Sequence, residues 1–109
     1  MPHESSLDRA LHAIADPTRR LILQALKQAR MQQAEAAKKP ARGTAGSGAC
    51  LCAGDIEERV ELSQSTISHH MAILTKAGLV EATKQGQWRW YRRNEKAIRQ
   101  VVKMLRGKL

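Results

Sequence analysis

The 109-residue sequence contains no phenylalanine, and its aromatic residues are limited to Trp88, Trp90 and Tyr91, which fall within four consecutive positions. Without Phe, the core of a chain of this size has to be built from Leu, Ile, Val, Ala and Met. The length also excludes two separate cores, and with them a deep cleft between lobes. The aromatic residues therefore mark one special element in a small, aliphatic domain.

Long apolar runs are also missing. No run approaches the roughly 20 residues that span a bilayer, and residues 1–8 are polar and acidic, unlike a signal or transit peptide. The two cysteines, Cys50 and Cys52, lie too close in sequence to close a stabilising disulfide. Together these features predict a cytoplasmic protein.

Acidic residues are scarce relative to basic ones. Ten Asp and Glu face 19 Lys and Arg, which gives a net charge of +9. Residues 84–109 carry nine of these basic residues and a single acid, Glu95. Such an excess favours a polyanionic partner, either nucleic acid or an anionic membrane surface.

Apolar residues at helical spacing predict two helices in the first third of the chain. The first follows a capping pattern, Ser5-x-x-Asp8, and the second begins with Asp16 as its cap and Pro17 at its first position. Further on, the sequence KKPARGTAGSGA at 38–49 has no periodicity. We therefore expect a single domain, residues 1–109, with a flexible insert at about 38–50.

The next segment has the pattern of a helix-turn-helix. A short helix at 53–60 is followed after two residues by a helix at 63–77, which Ser63 caps and Gly78 ends. Two short helices in this arrangement are typical of DNA-binding domains.

A β-hairpin, or wing, is predicted directly after the helix-turn-helix, at 79–92. Its strands alternate at 79–84 and 87–92 around a turn at Gln85-Gly86, and Asn94 then caps a last helix. The predicted fold class is mainly α with a small β-hairpin (α+β), a dimeric winged helix-turn-helix in the order α-α-α-α-β-β-α.

The last helix carries a nearly continuous apolar stripe formed by Ile98, Val101, Val102 and Leu105. On the final helix of a small domain, such a stripe favours packing against the same helix of a second subunit. Packing onto its own domain is the alternative interpretation. We expect a homodimer.

DNA contacts are predicted at the start of the fourth helix and around the tip of the wing. Short polar side chains at a helix start can enter the major groove, where Gln pairs with adenine and Ser or Thr reaches bases or phosphates. Basic side chains on a wing neutralise phosphates, and an Arg can enter a narrow minor groove. The predicted DNA-binding residues are Ser63, Gln64, Ser65, Thr66, Ser68, His69, Lys84, Gln85, Gln87 and Arg89. A polar helix face alone does not indicate DNA binding. Here the face belongs to a helix-turn-helix that is followed by a basic hairpin, and this combination favours DNA binding.

The two adjacent histidines of the fourth helix are not expected to form a metal site. His69 and His70 point about 100° apart on a helix, so they cannot chelate one ion together. We expect His69 to face DNA and His70 to be partly buried and hydrogen-bonded.

Trp88 and Trp90 share one face of their strand, where we expect them to pack the wing onto the domain rather than to stack on bases.

The chain resembles the ArsR/SmtB family of winged-helix bacterial repressors. The similarity covers most of residues 7–105 apart from the insert, and it rests on the stretches ADPTRRLIL at 15–23, AGDIEERVELSQSTISHHMAILTKAGLV at 53–80 and GQWRWY at 86–91. The resemblance implies a symmetric homodimer held by the first and last helices. It also implies that the helix at 63–71 lies in successive major grooves, that the wing lies on flanking DNA, and that an effector relieves repression.

Three features depart from the family pattern. Gln87 stands where family wings commonly carry Arg or Lys, and Arg93 where they commonly carry Leu. A second family site, formed by His and carboxylates on the last helix, is excluded because residues 94–109 contain no His, no Asp and only Glu95.

The pair Cys50 and Cys52 is the candidate effector site. Many relatives bind metals or metalloids through an E-L-C-V-C-D-L pattern, and here Cys52 aligns with its first cysteine but Gly54 with its second. Two thiolates suit arsenite, Zn(II) or Cu(I), with His3, His12 or the other subunit supplying further ligands. A helix N-terminus is expected to lower the Cys52 pKa. The alternative is an autorepressor that needs no effector and has no metal site.

Other classes of function are disfavoured. The GTAGSG stretch lacks the Lys-Ser/Thr ending of a phosphate-binding loop, and no paired carboxylates or Ser-His-Asp arrangement is evident, so no enzyme activity is predicted. An RNA-binding winged helix is a weaker alternative, because RNP-type aromatic strands and a GXXG clamp are absent. The last helix lacks Trp and Phe, which fits a dimer interface better than a membrane surface. The sequence thus predicts a sequence-specific, DNA-binding transcriptional repressor of the ArsR type.

Overall fold

The computed structural model describes residues 6–35 and 51–109. These ranges form five helices and three strands: α1 (Ser6–Ile14), α2 (Pro17–Glu35), β1 (Leu51–Cys52), α3 (Ala53–Val60), α4 (Gln64–Lys76), β2 (Val80–Gln85), β3 (Trp88–Arg93) and α5 (Glu95–Lys108). The predicted helices and the wing are confirmed. Ser5, Cys50 and the insert expected at about 38–50 lie outside the described residues.

The strand β1 is the element that the sequence did not predict. It pairs antiparallel with β3, with Leu51 opposite Tyr91 and Cys52 opposite Trp90, so the sheet has the order β1-β3-β2. Two residues are too few to show a periodic pattern, and this pairing joins positions about 40 residues apart in sequence. The order α-α-α-α-β-β-α is therefore corrected by one short strand before α3.

The helix ends follow local rules and agree with the predictions. Asp16 Oδ2 accepts a hydrogen bond from the Arg19 backbone N–H at 3.1 Å, and this bond is the main reason why the pKa of Asp16 lies below its usual value. Asn94 Oδ1 caps α5 by accepting from the Ala97 N–H at 3.1 Å. After α4, Gly78 adopts a φ of 79°, a left-handed conformation that favours glycine.

The core is aliphatic, as the lack of Phe requires. Its largest fully buried side chains come from α2, α3, α4 and β2: Ile22, Leu26, Ile56, Ile67, Met71, Leu74 and Val80. Ala10 and Ala13 of α1 are also buried, and their small side chains allow close approach of the helices. Tyr91 is the aromatic residue in this core.

The tryptophans lie outside the buried core, contrary to the expectation that they anchor the wing on the domain. Trp88 is 55% exposed and Trp90 is half-buried, and the centroids of their rings lie 6.4 Å apart. Strand alternation turns Tyr91 to the opposite, inner face, where it is 6% exposed. Tyr91 therefore anchors the wing.

Candidate nucleic-acid interface

The turn between α3 and α4 sets the direction of α4. It consists of Glu61, Leu62 and Ser63. Glu61 has φ 56° and ψ 47°, a left-handed conformation that is unfavourable for a side chain with a Cβ. Leu62 packs against the core, so the turn is held by an apolar contact while its first residue accepts backbone strain.

Ser63 organises the start of α4. Its Oγ accepts a hydrogen bond from the Thr66 backbone N–H at 3.4 Å and lies 2.9 Å from Thr66 Oγ1 and 3.3 Å from Ser65 Oγ. A hydroxyl cap of this kind satisfies a helix N–H that has no intrahelical partner. Ser63 and Thr66 thus hold the helix end in place, while neighbouring side chains remain exposed.

The outer face of α4 is polar and uncharged through its first turns. Ile67, Met71 and Leu74 point inward and are at most 1% exposed. The opposite face is exposed and consists of Gln64, Ser65, Ser68 and His69. These residues repeat at helical spacing, so they form one surface supported from below by the core.

The wing is a tight hairpin that carries cations on its inner face. Gly86 has a φ of 60°, and the register pairs Lys84 with Arg89 and Gln85 with Trp88. Alternation therefore places Lys84 and Arg89 on the same face as Tyr91, toward the helices.

A cleft of about 460 Å³ brings the two predicted sets of residues together. From α4 it is lined by Gln64 and Ser68, and from the wing by Lys84, Gln87 and Arg89. Its floor also includes residues from the start of α3 that the sequence analysis did not select: Ala53, Gly54 and Glu57. The one feature of the sequence that could have indicated these three residues is their position in the first helix of the helix-turn-helix. The cleft thus combines uncharged hydrogen-bonding groups with two cations and one carboxylate, that of Glu57.

Gln85 is separated from this cleft. It is exposed on the outer face of the hairpin, opposite Trp88. Gln85 does not line the cleft, whereas Trp88, its partner across the hairpin, does.

Two arginines of the basic C-terminal region are engaged within the protein. Arg92 Nε lies 2.9 Å from Glu81 Oε1 across the hairpin. Arg93 Nε lies 2.9 Å from Glu95 Oε2, and its Nη1 donates to the Leu23 carbonyl of α2 at 3.4 Å. Arg93, which departs from the family pattern, thus ties the base of the wing to α2.

The two adjacent histidines occupy different environments. His69 is exposed on the outer face of α4, and His70 is half-buried with its Nδ1 3.2 Å from Arg19 Nη1. The expected burial and hydrogen bonding of His70 are confirmed. Burial also lowers the His70 pKa below its usual value, which favours the neutral ring.

The environment of Cys52 opposes the expected thiolate. Its Sγ donates to Asp55 Oδ2 at 3.2 Å, and its backbone N–H donates to the same oxygen at 3.3 Å. Burial raises the pKa of the thiol, contrary to the expectation from helix position. In the described ranges, no group of three or more His, Cys, Asp or Glu side chains is placed to hold a metal ion. The thiol of Cys52 is therefore protonated in this setting, and the predicted site with Cys50, which lies outside the described residues, stays a prediction.

The helix α5 leaves apolar surface uncovered. None of its residues is buried. Ile98 and Val101 pack partly on the core, whereas Val102 is 50% exposed. In residues 6–35 and 51–109, no helix is both long and apolar enough to cross a membrane.

The helix-turn-helix, its polar outer face and the adjoining basic wing define a winged helix-turn-helix transcriptional regulator that binds DNA. Residues 47–82 match the model for the bacterial regulatory protein, arsR family. An HTH-type transcriptional regulator from Methanocaldococcus jannaschii is 31% identical over 93 residues, which cover 85% of this chain and 83% of that protein. The protein belongs to the ArsR family.

Two further comparisons agree with this assignment. The transcriptional repressor SdpR of Bacillus subtilis is 30% identical over 96 residues, covering 88% of this chain and 84% of SdpR. The homodimeric winged helix-turn-helix domain of a possible ArsR-family regulator from Mycobacterium bovis superposes with a TM-score of 0.64 at 21% identity, covering 94% of this chain and 78% of that domain. The second comparison supports the fold.

Proposed function

We propose that the protein is a cytoplasmic transcriptional repressor that binds operator DNA as a homodimer. The observation that carries the proposal is the cleft in which Gln64 and Ser68 of α4 lie beside Lys84 and Arg89 of the wing. Duplex DNA requires both kinds of group, because base edges specify the sequence and phosphates supply affinity. The similarity to SdpR, which is named as a repressor, supports the direction of regulation.

In this proposal the first two turns of α4 enter the major groove. The exposed side chains of Gln64, Ser65, Ser68 and His69 face base edges, while Ser63 and Thr66 keep the helix N-terminus ordered near a phosphate. The wing then follows the backbone of flanking DNA with Lys84, Arg89 and the two glutamines of its tip, Gln85 and Gln87. An approach of this kind needs no movement of Arg92 or Arg93 from their partners.

The proposed dimer joins subunits through α1 and α5. These helices pack against each other, and α5 exposes half of Val102 and partly exposes Leu105. Covering this stripe removes apolar surface from water, at roughly 25 cal/mol per Å². The homodimeric state of the Mycobacterium bovis domain is consistent with this arrangement.

Regulation is proposed to be independent of Cys52. The hydrogen bond to Asp55 and the raised pKa both favour the protonated thiol, whereas metal and metalloid ligands are thiolates. Of the two hypotheses drawn from the sequence, this environment favours the autorepressor over release by arsenite, Zn(II), Cu(I) or an oxidant.

Fluorescence anisotropy of the reduced protein on the promoter of its own gene tests the proposal. We expect binding at least about 10³-fold tighter than to shuffled duplex of equal length at the same salt concentration. A structured RNA of equal length should compete no better than the shuffled duplex. Equal affinity for all three polymers would contradict operator recognition, and preference for RNA would favour the RNA-binding alternative.

The dimer is tested with a matched pair of variants in α5. Val102→Glu places a charge in the apolar stripe, and Gln100→Glu adds the same charge on the opposite, exposed side of the helix. We expect Val102→Glu to sediment as a monomer and to lose operator binding, because two half-sites must be held together. Gln100→Glu should remain a dimer. Dimeric Val102→Glu would exclude this surface as the interface.

A further inference from the structure

One buried guanidinium connects the first helix to the DNA-facing helix. Among the residues that the structure describes, Arg19 is the only charged residue that is buried, with 7% exposed. Its Nε donates to the Ala13 carbonyl at 2.6 Å and its Nη2 to the His12 carbonyl at 3.2 Å. Both carbonyls lie in the last turn of α1, where helix carbonyls lack intrahelical partners. Arg19 therefore acts as a cationic cap on α1.

The third contact of Arg19 reaches α4. Its Nη1 lies 3.2 Å from Nδ1 of His70, on the inward side of the helix that presents Gln64 and Ser68 to the cleft. The Arg19 backbone is itself fixed by Asp16, which caps α2. A single side chain thus ties together the end of α1, the start of α2 and the middle of α4.

This contact requires a neutral histidine. A guanidinium has donors only and stays protonated at every accessible pH, so Nδ1 of His70 must accept and the ring proton must lie on Nε2. Protonation of His70 would remove the acceptor and place two cations within 3.2 Å. The charged and titratable groups that act on the ring are Asp16 and Arg19 at the α1–α2 junction and His69 on α4 itself.

We infer that Arg19 and His70 are positioning residues that fix the angle between the dimerisation helix α1 and the recognition helix α4, and that protonation of His70 releases this link. The inference rests on the proposed function, since the angle matters only if a dimer reads two half-sites. In such a dimer the separation of the half-sites follows from the orientation of the two recognition helices. The link therefore determines which half-site spacing is bound.

A spacing series tests the role of Arg19. The operator is compared with versions whose half-sites are moved apart or together by about two base pairs, and the wild type should prefer its own spacing at least about tenfold. Arg19→Lys keeps the charge but not the three-way donor geometry, so we expect the preference to fall to about twofold. Arg20→Lys is the matched control, because Arg20 bonds the Ile14 carbonyl of α1 and not α4. It should keep the wild-type preference.

A pH series tests the role of His70. We expect the wild type to lose operator affinity as His70 becomes protonated. The loss should occur below a pH of about 6.5, the usual His pKa, because the pKa of the folded ring is lowered. His70→Asn retains an acceptor near the position of Nδ1 but does not titrate, so it should bind within about twofold of wild type at neutral pH and lack this loss. At about pH 5.5 it should bind at least about fivefold tighter than wild type. His12→Gln is the control, because it removes another imidazole but keeps the backbone carbonyl that Arg19 contacts, and it should keep the wild-type profile.

The outcomes distinguish a failure of the proposed function from a failure of the positioning role of Arg19 and His70. A wild-type protein that is monomeric, or that binds shuffled DNA as tightly as the operator, overturns the proposed function. The positioning role is overturned by a different result. In that case the wild type is dimeric and has a clear spacing preference, Arg19→Lys keeps the same preference, and wild type and His70→Asn give identical pH profiles. Circular dichroism melts of each variant show whether it is folded at the temperature of the binding assay. If Arg19→Lys is unfolded, the His70→Asn profile decides.

Discussion

The recognition helix and the wing line the same cleft, but they are built in opposite ways. Beneath its polar face, α4 buries Ile67, Met71 and Leu74, whereas β2 buries only its first residue, Val80, and exposes the other five. The exposed side chains at the start of α4 are polar, and we propose that they face DNA. Those of the wing, Lys84 and Arg89, are long cations on an exposed ribbon.

This difference matches the two tasks that binding DNA requires. Hydrogen bonds to base edges need side chains held to within about 0.5 Å, which a helix on a packed core provides. Phosphate contacts tolerate movement because their energy comes from charge and counterion release. We therefore expect specificity to depend on α4 and most of the salt-dependent affinity to depend on the wing.

The largest expected change in stability comes from removing Tyr91, the residue that anchors the wing. Tyr91→Ala removes a side chain that is 6% exposed, and we expect it to lower the free energy of unfolding by about 3–5 kcal/mol. Trp88→Ala removes a larger side chain from the same strand, but one that is 55% exposed, and should cost less than about 1 kcal/mol. Urea denaturation measures both values. Equal losses would show that the wing is held by its outer face.

The second prediction separates specificity from affinity. Gln64→Ala should cost about 1–3 kcal/mol on the operator and almost nothing on shuffled DNA, because it removes a base contact. Lys84→Ala should weaken binding to both sequences and reduce the slope of log K against log salt by about 1 for each phosphate that is no longer neutralised. Anisotropy titrations at several salt concentrations distinguish the two variants. An equal loss on both DNAs for Gln64→Ala would contradict the division between helix and wing.

A smaller effect is expected at the turn that aims α4. Glu61→Gly relieves the left-handed backbone at φ 56°, and we expect it to raise the free energy of unfolding by about 0.5–1 kcal/mol. Glu61→Ala is the control, since it removes the carboxylate but keeps the Cβ and should give no such gain. A gain of the same size for both variants would attribute the effect to charge rather than to backbone strain.

The smallest effect is expected at Cys52, where β1 meets the wing. Cys52→Ser should change operator affinity by less than about 0.5 kcal/mol. Arsenite, Zn(II), Cu(I) and peroxide should act equally on the wild type and on the Cys50→Ser, Cys52→Ser double variant. Release of the wild type alone would restore the thiol-sensing hypothesis.

Features that depend on neighbouring residues could be predicted from the sequence. The caps at Asp16, Ser63 and Asn94 follow from side chains that reach backbone groups three residues away. The order of helix, turn, helix and hairpin follows in the same way from apolar spacing and turn residues. Each of these inferences needs only local geometry.

The features that were missed or wrongly predicted depend mostly on burial and on contacts distant in sequence. Strand β1 exists because β3 offers it a partner, and Tyr91 rather than the tryptophans faces the core because of that register. The Cys52 pKa was expected to fall at a helix N-terminus, but burial and the Asp55 carboxylate outweigh the helix dipole. The link between Arg19 and His70 joins residues 51 positions apart, and no local pattern indicates it.

The two-residue strand β1 covers part of one edge of the strand β3. With β2 on one side and β1 on the other, the aromatic strand β3 is internal to the sheet at Trp90 and Tyr91. An edge left open at these two aromatic positions would expose backbone donors and acceptors to another chain. The edge strands of the sheet are the two-residue β1 and β2, and the side chains of β2 include Glu81 and Lys84. Charged edges resist pairing with another chain. Loss of β1 would therefore show first as reduced solubility on heating, before any change in DNA sequence preference.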